Sequence, residues 1–150
     1  MDATPLDPVA RQTSALAGEL RVVIGKLQRR LREQAGSTDL THSQKSVLLH
    51  LERHGPATVS SLARVEGVRP QSMGATVATL QGAGLLQSAP HPTDGRQNLL
   101  SLTPACHQKM QSGRAAREDW LFHALEAQLS AKEQAQLQAA VELLRRLVSS

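Results

Sequence analysis

Glycine and proline divide the middle of this chain into short pieces, and that division restricts its fold more than any other feature. Gly55-Pro56, Gly67, Arg69-Pro70, Gly82 with Gly84, and Asp94-Gly95 follow one another in quick succession. Glycine favours the turn after a helix, and proline suits the first position of one but not its interior. The segments between these breaks are short, so this part of the chain has to be built from short helices and tight turns.

The segments carry their own start signals. "LTHSQKSVLLHLERHG" places Thr41 and Gln44 in capping-box spacing, followed by Val47, Leu48 and Leu51, and predicts a helix that Gly55-Pro56 ends. "TVSSLARVEGV" predicts a short third helix with Thr58 as N-cap, Leu62 and Ala63 inside and Gly67 at its C-terminal turn. "RPQSMGATVATLQGAGLL" predicts a fourth, with Pro70 in first position and Met73, Val77 and Leu80 on one face. Its other face, Gln71, Ser72, Ala75, Thr76 and Thr79, is uncharged, short and hydrogen-bonding. A merely solvated helix face usually carries Lys and Glu. Two helices joined by a short glycine-containing turn, the second with such a face, read as a helix-turn-helix.

"GLLQSAPHP" and "NLLSLT" around "TDGR" then predict a hairpin, with Leu100 and Leu102 alternating with Ser101. Thr103-Pro104 opens a fifth helix that runs to about Gln128 through Met110, Trp120, Leu121, Ala124 and Leu125. Ser130 and Glu133 form a second capping box before a last helix with Leu137, Val141, Leu144 and Leu147/Val148. At the other end, residues 1–8 read as a short flexible lead. Leu16, Leu20, Val23/Ile24, Leu27 and Leu31 then mark an amphipathic helix from about Val9 to Gln34, roughly 40 Å long. The expected fold class is mainly α with a small β-hairpin wing (α+β). A winged helix-turn-helix lobe at 41–103 is flanked by helices at 9–36 and 104–150 in a single 1–150 chain. The flanking helices are apolar along one stripe, and a two-fold dimer is the simplest way to bury those stripes.

Composition narrows the function. A chain of 150 residues supplies one domain, or one compact unit with an appended interface. Hydrophobic residues make up 40% but aromatic residues 1%, so the core must be Leu, Val and Ala, and base-stacking single-strand readers are disfavoured. A net charge of +4 and a pI near 10.0 give a mild bias toward a polyanionic partner. No apolar run approaches the ~18–20 residues of a membrane span, no secretory h-region opens the chain, and the single Cys106 cannot form an internal disulfide. A cytoplasmic protein without a membrane partner is expected. There is no Gly-rich phosphate loop, no Ser-His-Asp order with supporting motifs and no convincing carboxylate pair, so no enzyme, no catalytic residue and no cofactor are expected.

With "LARVEGVRPQSMGATVATLQGAGLL" and "TDGRQNLLSLTPA" at this separation and between long helices, the chain resembles the MarR family of bacterial transcription regulators from about residue 12 to 148. The family wing pattern, Asp-x-Arg followed by an apolar strand and Leu-Thr, is matched by Asp94, Arg96, Leu99 to Leu102 and Thr103. The resemblance implies a homodimer that binds palindromic operators in double-stranded DNA, mostly as a repressor. It also implies relief by a small-molecule effector, phenolic, lipophilic or oxidising, bound between the lobe and the dimer region. No spacing in this sequence names that effector.

In a helix-turn-helix the second helix enters the major groove. Gln71 can pair bidentately with adenine, and Ser72 and Thr76 can bond a base edge or touch a thymine methyl. Arg96 at the hairpin tip suits the minor groove, with Asp94 expected to accept from its guanidinium and fix its direction. Phosphate attraction falls to Arg64, Arg69 and Arg96, with Ser60 and Ser61 as neutral donors. Relatives often carry Arg inside or just after the fourth helix; here no Lys or Arg lies between Arg69 and Arg96. That departure supports a second reading, a winged-helix interaction module with weak DNA binding. A third is a redox or metal sensor, since Cys106 stands where relatives usually have Gly and His50 and His54 sit four apart on one helix. No cysteine or carboxylate trio completes a ligand set, so no metal is expected. His42, His91, His107 and His123 read as surface or interface residues, and Cys106 as a small buried hydrophobe.

Overall fold

The computed structural model describes residues 7–36 and 39–149. Its elements are α1 (Pro8–Gln34), α2 (His42–His54), α3 (Val59–Glu66), α4 (Pro70–Gly82), β1 (Leu86–Pro90), β2 (Asn98–Leu102), α5 (Pro104–Gln128) and α6 (Ala131–Val148). The fold is the expected one: helices with one antiparallel hairpin, in winged helix-turn-helix order. Of the expected flexible lead, residues 1–6 lie outside the described residues. Asp7 accepts from the Ala10 N–H at 2.7 Å and Pro8 takes the first helical position, so α1 claims the lead's last two residues.

The helix starts follow from local chemistry. The four leading N–H groups of a helix lack internal partners, and a hydroxyl or carboxylate just ahead supplies one. Thr41 and Gln44 form a reciprocal capping box at α2, and Ser130 and Glu133 form one at α6. Thr58 Oγ1 accepts from the Ser61 N–H at 3.2 Å to open α3. Gly67, in the left-handed region at φ 66°, closes α3, and the Val68 N–H donates back to the Ala63 carbonyl at 3.0 Å. A side chain disfavours that backbone conformation, so glycine is what lets the chain turn directly into α4.

Among the described residues, 39–113 form one compact unit, the lobe. Its core is Val47, Leu48 and Leu51 of α2, Leu62 and Ala63 of α3, Met73, Val77 and Leu80 of α4, Leu86 and Leu100 of the hairpin, and Cys106 of α5. Burying each large aliphatic side chain contributes roughly 1.5–3 kcal/mol. The strands pair in the register Leu86↔Leu102 and Ser88↔Leu100. Beyond the hairpin, Ala57 and Leu100 exchange both backbone hydrogen bonds, at 3.1 and 2.8 Å, which fixes the α2–α3 connection against the wing strand. Ser46 Oγ donates to Glu66 Oε1 at 2.7 Å and ties α2 to α3. Thr103 Oγ1 donates to the Gly84 carbonyl (2.7 Å) and accepts from the Cys106 N–H (3.1 Å), joining the turn after α4 to the start of α5. The compact lobe thus reaches past residue 103 into α5, because Cys106 and Met110 pack into its core.

The second unit holds α1, the remainder of α5 and α6. No residue of α1 or α6 is buried within the single chain. Leu16 is 63% exposed, Val23 60%, Leu143 55% and Leu147 63%. Such apolar exposure along α1 and α6 is more than an isolated helix needs. Among the described residues no helix is long and apolar enough to cross a membrane.

Candidate nucleic-acid interface

α3 and α4 pack on each other around the Gly67 turn and present the expected site residues from one unit. Ser60 (exposed) and Ser61 (half-buried) lie in the first turn of α3, and Arg64 lies in its last. Arg69 is the N-cap of α4, Gln71 and Ser72 are exposed in its first turn, and Thr76 is half-buried one turn further on. Met73, Val77 and Leu80 anchor the opposite side in the core, which fixes the rotation of α4 and keeps its uncharged face outward.

The start of α4 is electrostatically unusual. Its N-cap is a cation with no side-chain acceptor, and its first turn holds no acidic residue. The positive end of the helix dipole therefore has no counter-charge from its own side chains, and an incoming phosphate would supply one. Along the helix, Thr76 Oγ1 donates to the Ser72 carbonyl at 3.2 Å, and Thr79 Oγ1 donates to the Ala75 carbonyl at 3.1 Å. With its hydrogen used, the Thr76 hydroxyl offers outward only lone pairs and the neighbouring methyl. That favours an exocyclic amino group or a thymine methyl over a base carbonyl.

Arg64, Arg69 and Arg96 are all exposed, and among the described residues none of them is in an ion pair. In the other unit, by contrast, Arg30 pairs with Glu33 at 3.6 Å and Arg145 with Glu142 at 3.2 Å.

The wing loop corrects one expectation. Asp94 does not hold the Arg96 guanidinium. Its Oδ1 accepts from the Arg96 backbone N–H at 3.1 Å, and its Oδ2 accepts from Gln97 Nε2 at 3.2 Å. The Gln97 N–H closes a turn on the Asp94 carbonyl at 3.1 Å. An aspartate opening such a turn meets the N–H two residues on before it can reach a side chain there. Asp94 therefore shapes the backbone beneath Arg96 and leaves the guanidinium open to a partner. His91, read from the sequence as a surface residue, is also part of this loop: its Nδ1 accepts from the N–H groups of Thr93 (3.2 Å) and Asp94 (3.1 Å).

Three other residues singled out from the sequence, Cys106, His50 and His54, sit elsewhere. Cys106 is 2% exposed. Burial pushes its thiol up from 9.0, with Lys109 pulling it down and Glu52 adding to the rise. A buried, protonated thiol is a poor nucleophile, so the residue acts as a core hydrophobe. The His50 and His54 rings stack with centroids 4.5 Å apart. Among the described residues no three His, Cys, Asp or Glu side chains are gathered to hold a metal ion.

A helix-turn-helix with an uncharged, hydrogen-bonding second helix, followed directly by a hairpin, defines the winged helix-turn-helix class of DNA-binding proteins. The MarR family model matches residues 38–97. An uncharacterised HTH-type transcriptional regulator of Mycobacterium bovis is 38% identical over 133 residues, covering 89% of this chain and 92% of that protein. A crystal structure assigned as a transcriptional regulator of Pseudomonas aeruginosa superposes with a TM-score of 0.79 at 35% identity, covering 93% of this chain and 98% of that one. A mutant of S. aureus MepR bound to an oligodeoxyribonucleotide shares the fold, with a TM-score of 0.69 at 19% identity over 89% of this chain and 96% of that one. The chain belongs to the MarR family and is a helix-turn-helix transcriptional regulator. The curated relatives it matches are likewise described as HTH-type transcriptional regulators.

Proposed function

We propose that this protein is a homodimeric repressor that reads a palindromic operator and releases it when a small-molecule effector binds. One observation carries the DNA-binding part: three exposed arginines, Arg64, Arg69 and Arg96, in no ion pair among the described residues, accompany the uncharged hydrogen-bonding face of α4 in one lobe. In this reading Gln71, Ser72 and Thr76 meet base edges, and Ser60, Ser61, Arg64 and Arg69 hold phosphates. Arg96 enters the minor groove beside them, from a loop whose backbone Asp94 shapes. The exposed stripes of α1 and α6 support dimerisation, and two lobes related by a two-fold axis match a palindrome. A soluble cytoplasmic location fits this role.

Gel shifts on the duplex immediately upstream of its own coding sequence test the reading. Saturable, competitor-resistant binding is expected, and it should weaken steeply with salt. Arg96→Ala should lower the salt slope by about one per lobe, because one contact in the phosphate region is lost. An unchanged slope in that variant overturns the wing role. Dimerisation without any DNA affinity would favour an interaction module instead, a reading supported by the absence of Lys and Arg from α4.

A further inference from the structure

We propose that His91 is a positioning residue for DNA binding: its ring nitrogen organises the wing loop that presents Arg96. The inference rests on the reading of Arg96 as a DNA contact, and it adds a residue to which neither the wing pattern nor the sequence reading gives a role.

The loop between β1 and β2 runs from His91 to Gln97. Loop N–H groups that find no acceptor leave the backbone free to sample many conformations. Here acceptors come from two side chains in sequence. His91 Nδ1 accepts from the Thr93 N–H (3.2 Å) and the Asp94 N–H (3.1 Å), with Thr93 Oγ1 also at 3.3 Å. Asp94 then accepts from the Arg96 N–H and Gln97 Nε2. The His91 N–H donates to the Gln97 carbonyl at 3.0 Å and closes the loop. Pro92 has no N–H to satisfy, and its ring fixes φ. The order is therefore a relay: His91 sets the backbone at Thr93 and Asp94, and Asp94 sets it at Arg96.

Accepting two N–H groups at Nδ1 requires that nitrogen to be unprotonated, so the ring proton sits on Nε2. An asparagine amide oxygen falls close to where Nδ1 lies and can accept in the same way; an alanine cannot. The benefit to binding is preorganisation. Arg96 has a long side chain, and a loop already ordered beneath it lowers the entropy lost when the guanidinium engages DNA.

The test uses the full-length protein, the upstream duplex and the variants His91→Ala, His91→Asn, Arg96→Ala and His91→Ala with Arg96→Ala. His91→Ala should weaken binding roughly 3- to 10-fold, the effect of losing one set of hydrogen bonds, and lower the salt slope toward that of Arg96→Ala. His91→Asn should restore affinity to within about twofold of the unmodified protein. In the Arg96→Ala background His91→Ala should add little, because the two act through one contact. Equal losses from His91→Ala in both backgrounds, or no rescue by asparagine at an unchanged melting temperature, overturn the positioning role. If Arg96→Ala alone changes neither affinity nor slope, the wing reading itself has failed, and this proposal fails with it. A readout independent of DNA is the long-range nitrogen–proton NMR spectrum of the His91 ring. The proton is expected on Nε2, and a proton on Nδ1 overturns the relay whatever the DNA measurements give.

Discussion

Cys106 is where a sensing role and a packing role make opposite demands on one side chain. A sensor thiol has to be exposed and ionised near neutral pH, while a core residue has to be neither. Here the thiol is buried among the lobe's aliphatic side chains and raised above 9.0, chiefly by desolvation. Slow modification by thiol reagents is expected in the native protein, with rapid modification in urea; fast native labelling would contradict the packing role. The raised value also has a consequence for stability. Below about pH 9 the thiol is neutral in both folded and unfolded chains and its burial costs nothing electrostatically. As pH rises past that point the unfolded thiol ionises while the folded one resists, so stability falls. Urea midpoints at about pH 8 and about pH 10 should therefore differ more in the native sequence than in Cys106→Ala. The sequence has no tyrosine, which removes one competing titration in that range.

At the scale of elements, two glycines in neighbouring helices should respond in opposite directions. Gly67 closes α3 at φ 66°, and a Cβ there would meet nothing within 4 Å. The cost of Gly67→Ala is then purely backbone conformation, about 1 kcal/mol or more. Gly74 lies inside α4 with ordinary helical backbone and equally open surroundings. Gly74→Ala should stabilise by about 0.5–1 kcal/mol, because it restricts the unfolded chain. Thermal or urea unfolding of the two variants checks both signs. The starts and stops of these helices were legible in the sequence because caps and breakers act within three or four residues. The Ala57–Leu100 bridge was not, since it joins residues distant in sequence through backbone groups that every residue but proline carries. The lobe's extension into α5 was hidden for a related reason. Cys106 and Met110 continue a helical pattern, and periodicity alone does not say which core a helix face meets. In the wing, "TDGR" was legible as a charged turn. Whether Asp94 grips a guanidinium or a backbone N–H depends on turn geometry that residue types alone do not fix. His91 acts as an acceptor, a role that reading it as a surface or interface residue conceals.

For the whole molecule, the scarcity of cations bears on the proposed dimer as directly as the apolar stripes do. One lobe brings Arg64, Arg69 and Arg96 and an α4 without a basic residue in its last turn. With each phosphate-region contact contributing ~0.9 to the salt slope, a single lobe reaches a slope of only about −3 and a pair of lobes about −5. Affinity from so few contacts depends on tethering: once one lobe is seated, the second binds at a high effective concentration. In the proposed palindrome, half-sites one helical turn apart, roughly 34–36 Å, would set the span that the tether must bridge. Leu16 and Leu147 are each 63% exposed in the single chain, on α1 and α6. Replacing both by Glu places charge in the stripes that the partner would cover, while no buried residue of either helix is disturbed. The variant should sediment as a monomer where the unmodified protein sediments as a dimer, with the lobe's melting largely retained. Its affinity for the upstream duplex should fall by roughly 100-fold or more and its salt slope by about half. A monomeric variant that keeps full affinity and slope would show that one lobe suffices, and the tethering account of this regulator would then be wrong.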